Sequence, residues 1–105
     1  MDPVSYSIAS IIQSYDSREG INVMEKDDIV YVDFTLEFPT PGYIVNVERV
    51  IRSDAQYKVY FKIQAPAPDR VLPQIITYKT LTMKIPKKEL ASPPYKFQAV
   101  EMKMA

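Results

Sequence analysis

A chain of 105 residues with neither cysteine nor histidine has no disulfide, no thiolate or imidazole metal site, and no cysteine nucleophile or histidine base. Thirteen basic and thirteen acidic side chains cancel, so no net field draws it to nucleic acid or an anionic membrane. Eight tyrosines, nine prolines, two glycines and no tryptophan favour sheet over helix, and the length suits one domain spanning residues 1–105.

No segment approaches the roughly 20 apolar residues of a membrane span, so no membrane insertion is expected. Met1-Asp2-Pro3-Val4-Ser5 has neither the basic nor the apolar region of a signal peptide. Residues 4–15 allow two readings. Ile8, Ile11, Ile12 and Tyr15 stand at helical spacing behind a capping Asp2-Pro3, whereas serine and β-branched content favour a strand. Strand is the expectation, in a hairpin with residues 21–25 that follow Gly20. Asp27-Asp28 reads as turn punctuation before the next element.

Residues 29–38 carry the clearest alternation: Val30, Val32, Phe34, Leu36 and Phe38 on one face, Asp33, Thr35 and Glu37 on the other. Residues 43–52 form a second strand whose apolar parity slips at Arg49-Val50-Ile51, the mark of a bulge or of an end covered on both faces. Ser53-Asp54 turns the chain into residues 56–64, where Tyr57, Val59, Phe61 and Ile63 share a face, so 43–64 reads as a hairpin. A threonine-rich strand over 74–85 shows a parity change near Lys79 and stops at Pro86. Residues 97–104 are an edge strand or a frayed tail. Lys58, Lys62, Lys79 and Lys84 read as a charge guard against edge-to-edge pairing. About seven short strands and no strong helix describe an all-β domain, a small antiparallel β-sandwich or partly open barrel.

Two loops stand out. In Phe38-Pro39-Thr40-Pro41-Gly42-Tyr43, Pro41 and Gly42 suit the two central positions of a type II turn, which would project Tyr43 at the loop's exit. Ala65-Pro66-Ala67-Pro68-Asp69-Arg70-Val71-Leu72-Pro73 is stiffened toward polyproline II, and Val71 and Leu72 are either exposed apolar groups or a plug over the core. Either loop also serves as a plain strand connection. As a docking surface, the candidate partner-binding residues are Thr40, Pro41, Gly42 and Tyr43, with Pro68, Val71 and Leu72 if the loops share one end.

Nothing points to catalysis. Asp33 and Glu37 share a strand face, but four residues separate them by ~13 Å, too far for a glycosidase pair. Asp27-Asp28 lacks the spaced oxygens of a calcium loop, and two glycines make no phosphate cradle. No catalytic residue, metal or cofactor is expected. Lys58, Tyr60 and Lys62 on one strand face leave a sugar or single-stranded nucleic acid module, using Tyr31, Tyr60 and Tyr78, as an alternative, although the zero net charge argues against nucleic acid.

Pro39-Thr40-Pro41-Gly42-Tyr43-Ile44-Val45-Asn46-Val47, Tyr57-Lys58-Val59-Tyr60, the proline loop, Gln74-Ile75-Ile76-Thr77-Tyr78 and Met83-Lys84-Ile85-Pro86 together resemble the PrcB-like C-terminal domain over residues 29–86. Pro41 replaces the first glycine of that family's usual pair, and Lys79 and Thr80 stand in place of its proline and aromatic. The resemblance implies a bacterial, extracytoplasmic accessory domain that assists or stabilises a protease or another assembly, with a protein as its partner. A fainter likeness, through Pro39, Thr40, Gly42 and Tyr43, is to chagasin-like protease inhibitors, with Phe38 in place of their asparagine. It implies, as the alternative, an immunoglobulin-like inhibitor using the 38–43 loop.

Overall fold

The computed structural model describes residues 2–91 and 93–104. Eight strands run in chain order: β1 (Asp2–Pro3), β2 (Ser7–Ser14), β3 (Gly20–Lys26), β4 (Ile29–Phe38), β5 (Ile44–Ser53), β6 (Gln56–Gln64), β7 (Thr77–Pro86) and β8 (Lys96–Met104). A 3-10 turn at Lys87–Glu89 separates the last two. They form two four-stranded sheets, ordered β1-β5-β6-β8 and β2-β7-β4-β3. Every neighbouring pair is antiparallel except β6 and β8, which run parallel. The two sheets stay separate, so the architecture is a sandwich and not a barrel.

Alternation builds the core directly. Val30, Val32, Phe34, Leu36 and Phe38 of β4 face Tyr57, Val59, Phe61 and Ile63 of β6, and all are buried. Leu81, Met83 and Ile85 of β7 and Val45 and Val50 of β5 complete the layer. At its centre Phe34 meets Phe61 edge-on, with ring centroids 5.1 Å apart, and Phe97 at 6.4 Å. Burying an aromatic side chain this completely contributes several kcal/mol.

The strands over 29–38 and 56–64 form with the expected bounds. The bulge in β5 sits slightly earlier than the parity slip indicated, between Val47 and Arg49. It moves the inward set from Val45 and Val47 to Val50, and Glu48 swings out to meet Arg49 at 3.0 Å and Lys62 at 3.6 Å. The aspartates of two hairpin turns, Asp27 and Asp54, take positive φ of 58° and 56°, a conformation aspartate tolerates well.

Four expectations are corrected. Residues 4–15 do hold a strand, but it makes no hairpin with residues 21–25: β2 pairs with β7, and β3 pairs with β4 across the Asp27-Asp28 turn, on opposite edges of one sheet. The buried strands β4 and β7 each need a second backbone partner, and those edges recruit β2 and β3. Next, β7 begins at Thr77 and not at Gln74. Its parity does not change near Lys79, because its ladder with β4 is unbroken from Pro86 to Thr77. Lys79 keeps an inward position at the rim, where a long stem lies along apolar surface while its head reaches a polar group. Finally, Lys58 and Lys62 lie on β6 and Lys79 and Lys84 on β7, all inner strands, so none guards an edge.

The other end of the sandwich is capped by residues 87–91 and 93–95. Lys87 donates its backbone N–H to the Asp28 carbonyl at 2.9 Å, and Ala91 N–H donates to the Tyr57 hydroxyl at 2.6 Å. Tyr95 packs against the core. Burial first, and the Glu25 carboxylate second, hold its phenol above the ordinary tyrosine value. The unfolded chain therefore loses this proton at lower pH than the fold does. The contribution is fully present below about pH 10 and is lost as pH rises beyond it.

Stability measured by urea unfolding is expected to fall as pH is raised above about 10, and less steeply in Tyr95→Phe. Phe34→Ala is expected to cost about 3–5 kcal/mol in the same measurement at neutral pH.

Candidate partner-binding end of the sandwich

The loop over residues 39–43, between β4 and β5, and the loop over 65–76, between β6 and β7, lie against each other at one end of the sandwich. Three contacts join or anchor them. Thr40 Oγ1 donates to the Pro73 carbonyl at 2.9 Å. Gly42 has φ of 100°, and a Cβ placed there would stand 3.0 Å from Leu72 Cδ1 and 3.2 Å from Pro66 Cβ. Lys79 Nζ donates to the Tyr43 carbonyl from beneath the loop. Within the longer loop, Arg70 N–H closes a turn onto the Ala67 carbonyl at 3.1 Å, with Pro68 and Asp69 at its centre. The buried Thr77 hydroxyl donates to the Ile75 carbonyl at 2.9 Å, fixing the entry into β7.

The residues named from sequence therefore divide. Thr40, Gly42 and Leu72 brace loop against loop, and Pro41 is half-buried beside them. The expected projection of Tyr43 is corrected: its ring stacks on Phe38 at 4.8 Å with an interplanar angle of 20° and packs against the core. The positive φ of Gly42 matches the expected turn, but the segment bends without a closing backbone hydrogen bond from Tyr43. Pro68 is exposed, and Val71 stands 99% exposed at the tip.

Sequence reasoning missed other exposed apolar residues on the elements of this end. Ile75 and Ile76 are 49% and 54% exposed, and Ile44, opening β5, is also exposed. Reading 74–85 as strand hid the first two. The available signal was their adjacency, since two successive isoleucines cannot both face the core of an alternating strand.

The tyrosines of the sugar or nucleic acid alternative do not converge. Tyr31 pairs with Lys84 and Tyr78 with Glu37 on the outer face of one sheet, six residues apart along β7 or about 20 Å. Tyr60 lies on the outer face of the other sheet, beneath the Arg49 guanidinium at 4.4 Å. Tyr78 is held above the ordinary tyrosine value, chiefly by its hydrogen bond to the Glu37 carboxylate. Asp33 accepts from the Thr82 hydroxyl at 2.6 Å. Among the described residues no cluster of three carboxylates could hold a metal ion, and no helix is long and apolar enough to cross a membrane.

The family described as PrcB C-terminal matches residues 29–86, from the first residue of β4 to the last of β7. This chain belongs to the PrcB C-terminal family. No curated protein and no solved structure matches it. The PrcB C-terminal segment holds β4, β5, β6 and β7, the two inner strands of each sheet, together with both loops of this end. The edge strands β1, β2, β3 and β8 lie outside the match.

Gly42→Ala forces a strained φ and pushes a methyl against Leu72 and Pro66, so it is expected to lower stability by about 1–3 kcal/mol in urea unfolding. Tyr43→Ala is expected to lower it by about 2 kcal/mol through the lost stack on Phe38.

Proposed function

We propose that this domain is a non-catalytic protein-binding module, an accessory domain of a protease-associated complex outside the bacterial cytoplasm, which takes its partner on the end formed by residues 39–43 and 65–76. The observation that carries the reading is the exposure of Val71, Ile75 and Ile76 on a loop pair held by Thr40, Gly42 and Lys79, with Ile44 exposed at the start of β5. Apolar side chains left in water on an ordered loop mark an interaction surface. Order already present in the free domain lowers the entropic cost of docking. Membership of the PrcB C-terminal family supports the accessory role and the protease-associated setting expected from the resemblance. The partner surface is an apolar groove that admits Val71 and rests on Ile75 and Ile76. Tyr43 acts from beneath, by holding the loop.

The test is a pull-down from envelope and lysate fractions of the source cell, beside a Val71→Asp, Ile76→Asp variant. Val71 is fully solvated and Ile76 about half so, and the variant is expected to keep its unfolding free energy within about 1 kcal/mol and to lose the partner band. A band that the variant retains places recognition elsewhere on the domain.

A further inference from the structure

Where Phe34 crosses the core, β4 does not sit squarely over one strand of the other sheet. Phe34 of β4 sits between Phe61 of β6 and Phe97 of β8, at 5.1 Å and 6.4 Å, so β4 lies over the space between those strands. Its neighbour β3, one strand spacing or about 4.8 Å further out, therefore lies beyond β8. Ile21 and Val23 of β3 pair with Phe34 and Val32, which are fully buried, and so point to the core side. They are nevertheless 43% and 36% exposed, because no strand runs beneath them. On the opposite flank Val4 is buried and Tyr6 packs against the core, filling the corresponding space. Here the free edge of β8 opens under a two-residue apolar roof, among the described residues without cover.

We infer that this flank is a strand-acceptor site, in which a single extended segment of a partner protein, apolar at alternate positions, pairs with the free edge of β8 and buries Ile21 and Val23. The backbone groups on the open side of β8 form a row of alternating N–H and C=O groups that matches the edge of an added strand. The roof calls for alternation, because every second side chain of the incoming strand would point at Ile21 and Val23. The same roof excludes a second copy joined through its own β8. A two-fold axis between the paired edges would bring the two β3 strands onto the same position. A lone strand fits where a whole sandwich does not. Among the other exposed edges, β2 is broken by a register shift between Ile8 and Ser10, β1 carries Pro3, and β3, unbroken from Gly20 to Lys26, is itself the roof. β8 pairs with β6 in unbroken register from Lys96 to Met104 and contains no proline.

The probe is a capped peptide alternating valine and threonine with a lysine at each end, titrated into the isotope-labelled domain while amide hydrogen exchange is followed by NMR. Protection of alternate β8 amides is expected, with none from a peptide of the same composition whose valines form one block. Ile21→Lys combined with Val23→Lys is expected to abolish the protection. Met24→Lys, on the other face of β3, and Val71→Asp, on the loop end, are expected to leave it intact, which separates this site from the one proposed above. Absence of protection, protection that falls on β2 or β3 instead, retention in the Ile21, Val23 variant, or a free domain that sediments as a dimer with β8 already protected would each overturn the inference.

Discussion

Phe34 reaches across the sandwich into the angle between Phe61 and Phe97, and most of the molecule's shape follows from where that ring settles. An edge-to-face contact with two partners seats β4 over a gap between strands and not over a strand. Each sheet contributes four strands, and the two flanks of the sandwich are closed unequally. One is filled by the chain's own start, through Val4 and through Tyr6, whose hydroxyl donates to the Val47 carbonyl at 3.5 Å. The other leaves Ile21 and Val23 half in water on the core-facing side of β3.

At the loop end the polar groups hold and the apolar groups wait. Thr40 and Lys79 spend their donors on backbone carbonyls of the loops, and Leu72 fills the space that glycine leaves open at position 42. These contacts set the positions of Val71, Ile75 and Ile76 without covering them. Side chains kept in solvent contribute little burial energy to the domain's own stability. The PrcB C-terminal match covers both loops and the inner strands that carry them.

Much of this was legible in the residues. Alternation over 29–38 and 56–64 set the bounds of β4 and β6 and named their buried faces, because a half-buried strand leaves no freedom in which side chain points inward. The aspartates at 27 and 54 and the glycine at 42 announced their turns, since positive φ is tolerated by few residues. Composition excluded the histidine and cysteine chemistries outright. The motifs over 29–86 pointed to the family that the chain matches.

What the sequence left open was decided by edges and ends. The pairing of strands is made by backbone groups that every residue shares, so nothing in residues 7–14 or 20–26 says that they flank the same sheet on opposite sides. Lys79 looked like a break in parity because its type belongs in solvent, and only the nearby Tyr43 carbonyl shows why it faces inward. Tyr43 looked free because its loop is stiff, and only Phe38 beside it shows that the ring is stacked. Local pattern determines which face of a strand is buried. Which edges meet, and how far one sheet slides over the other, depend on side chains distant in sequence that pack only once both sheets are in place.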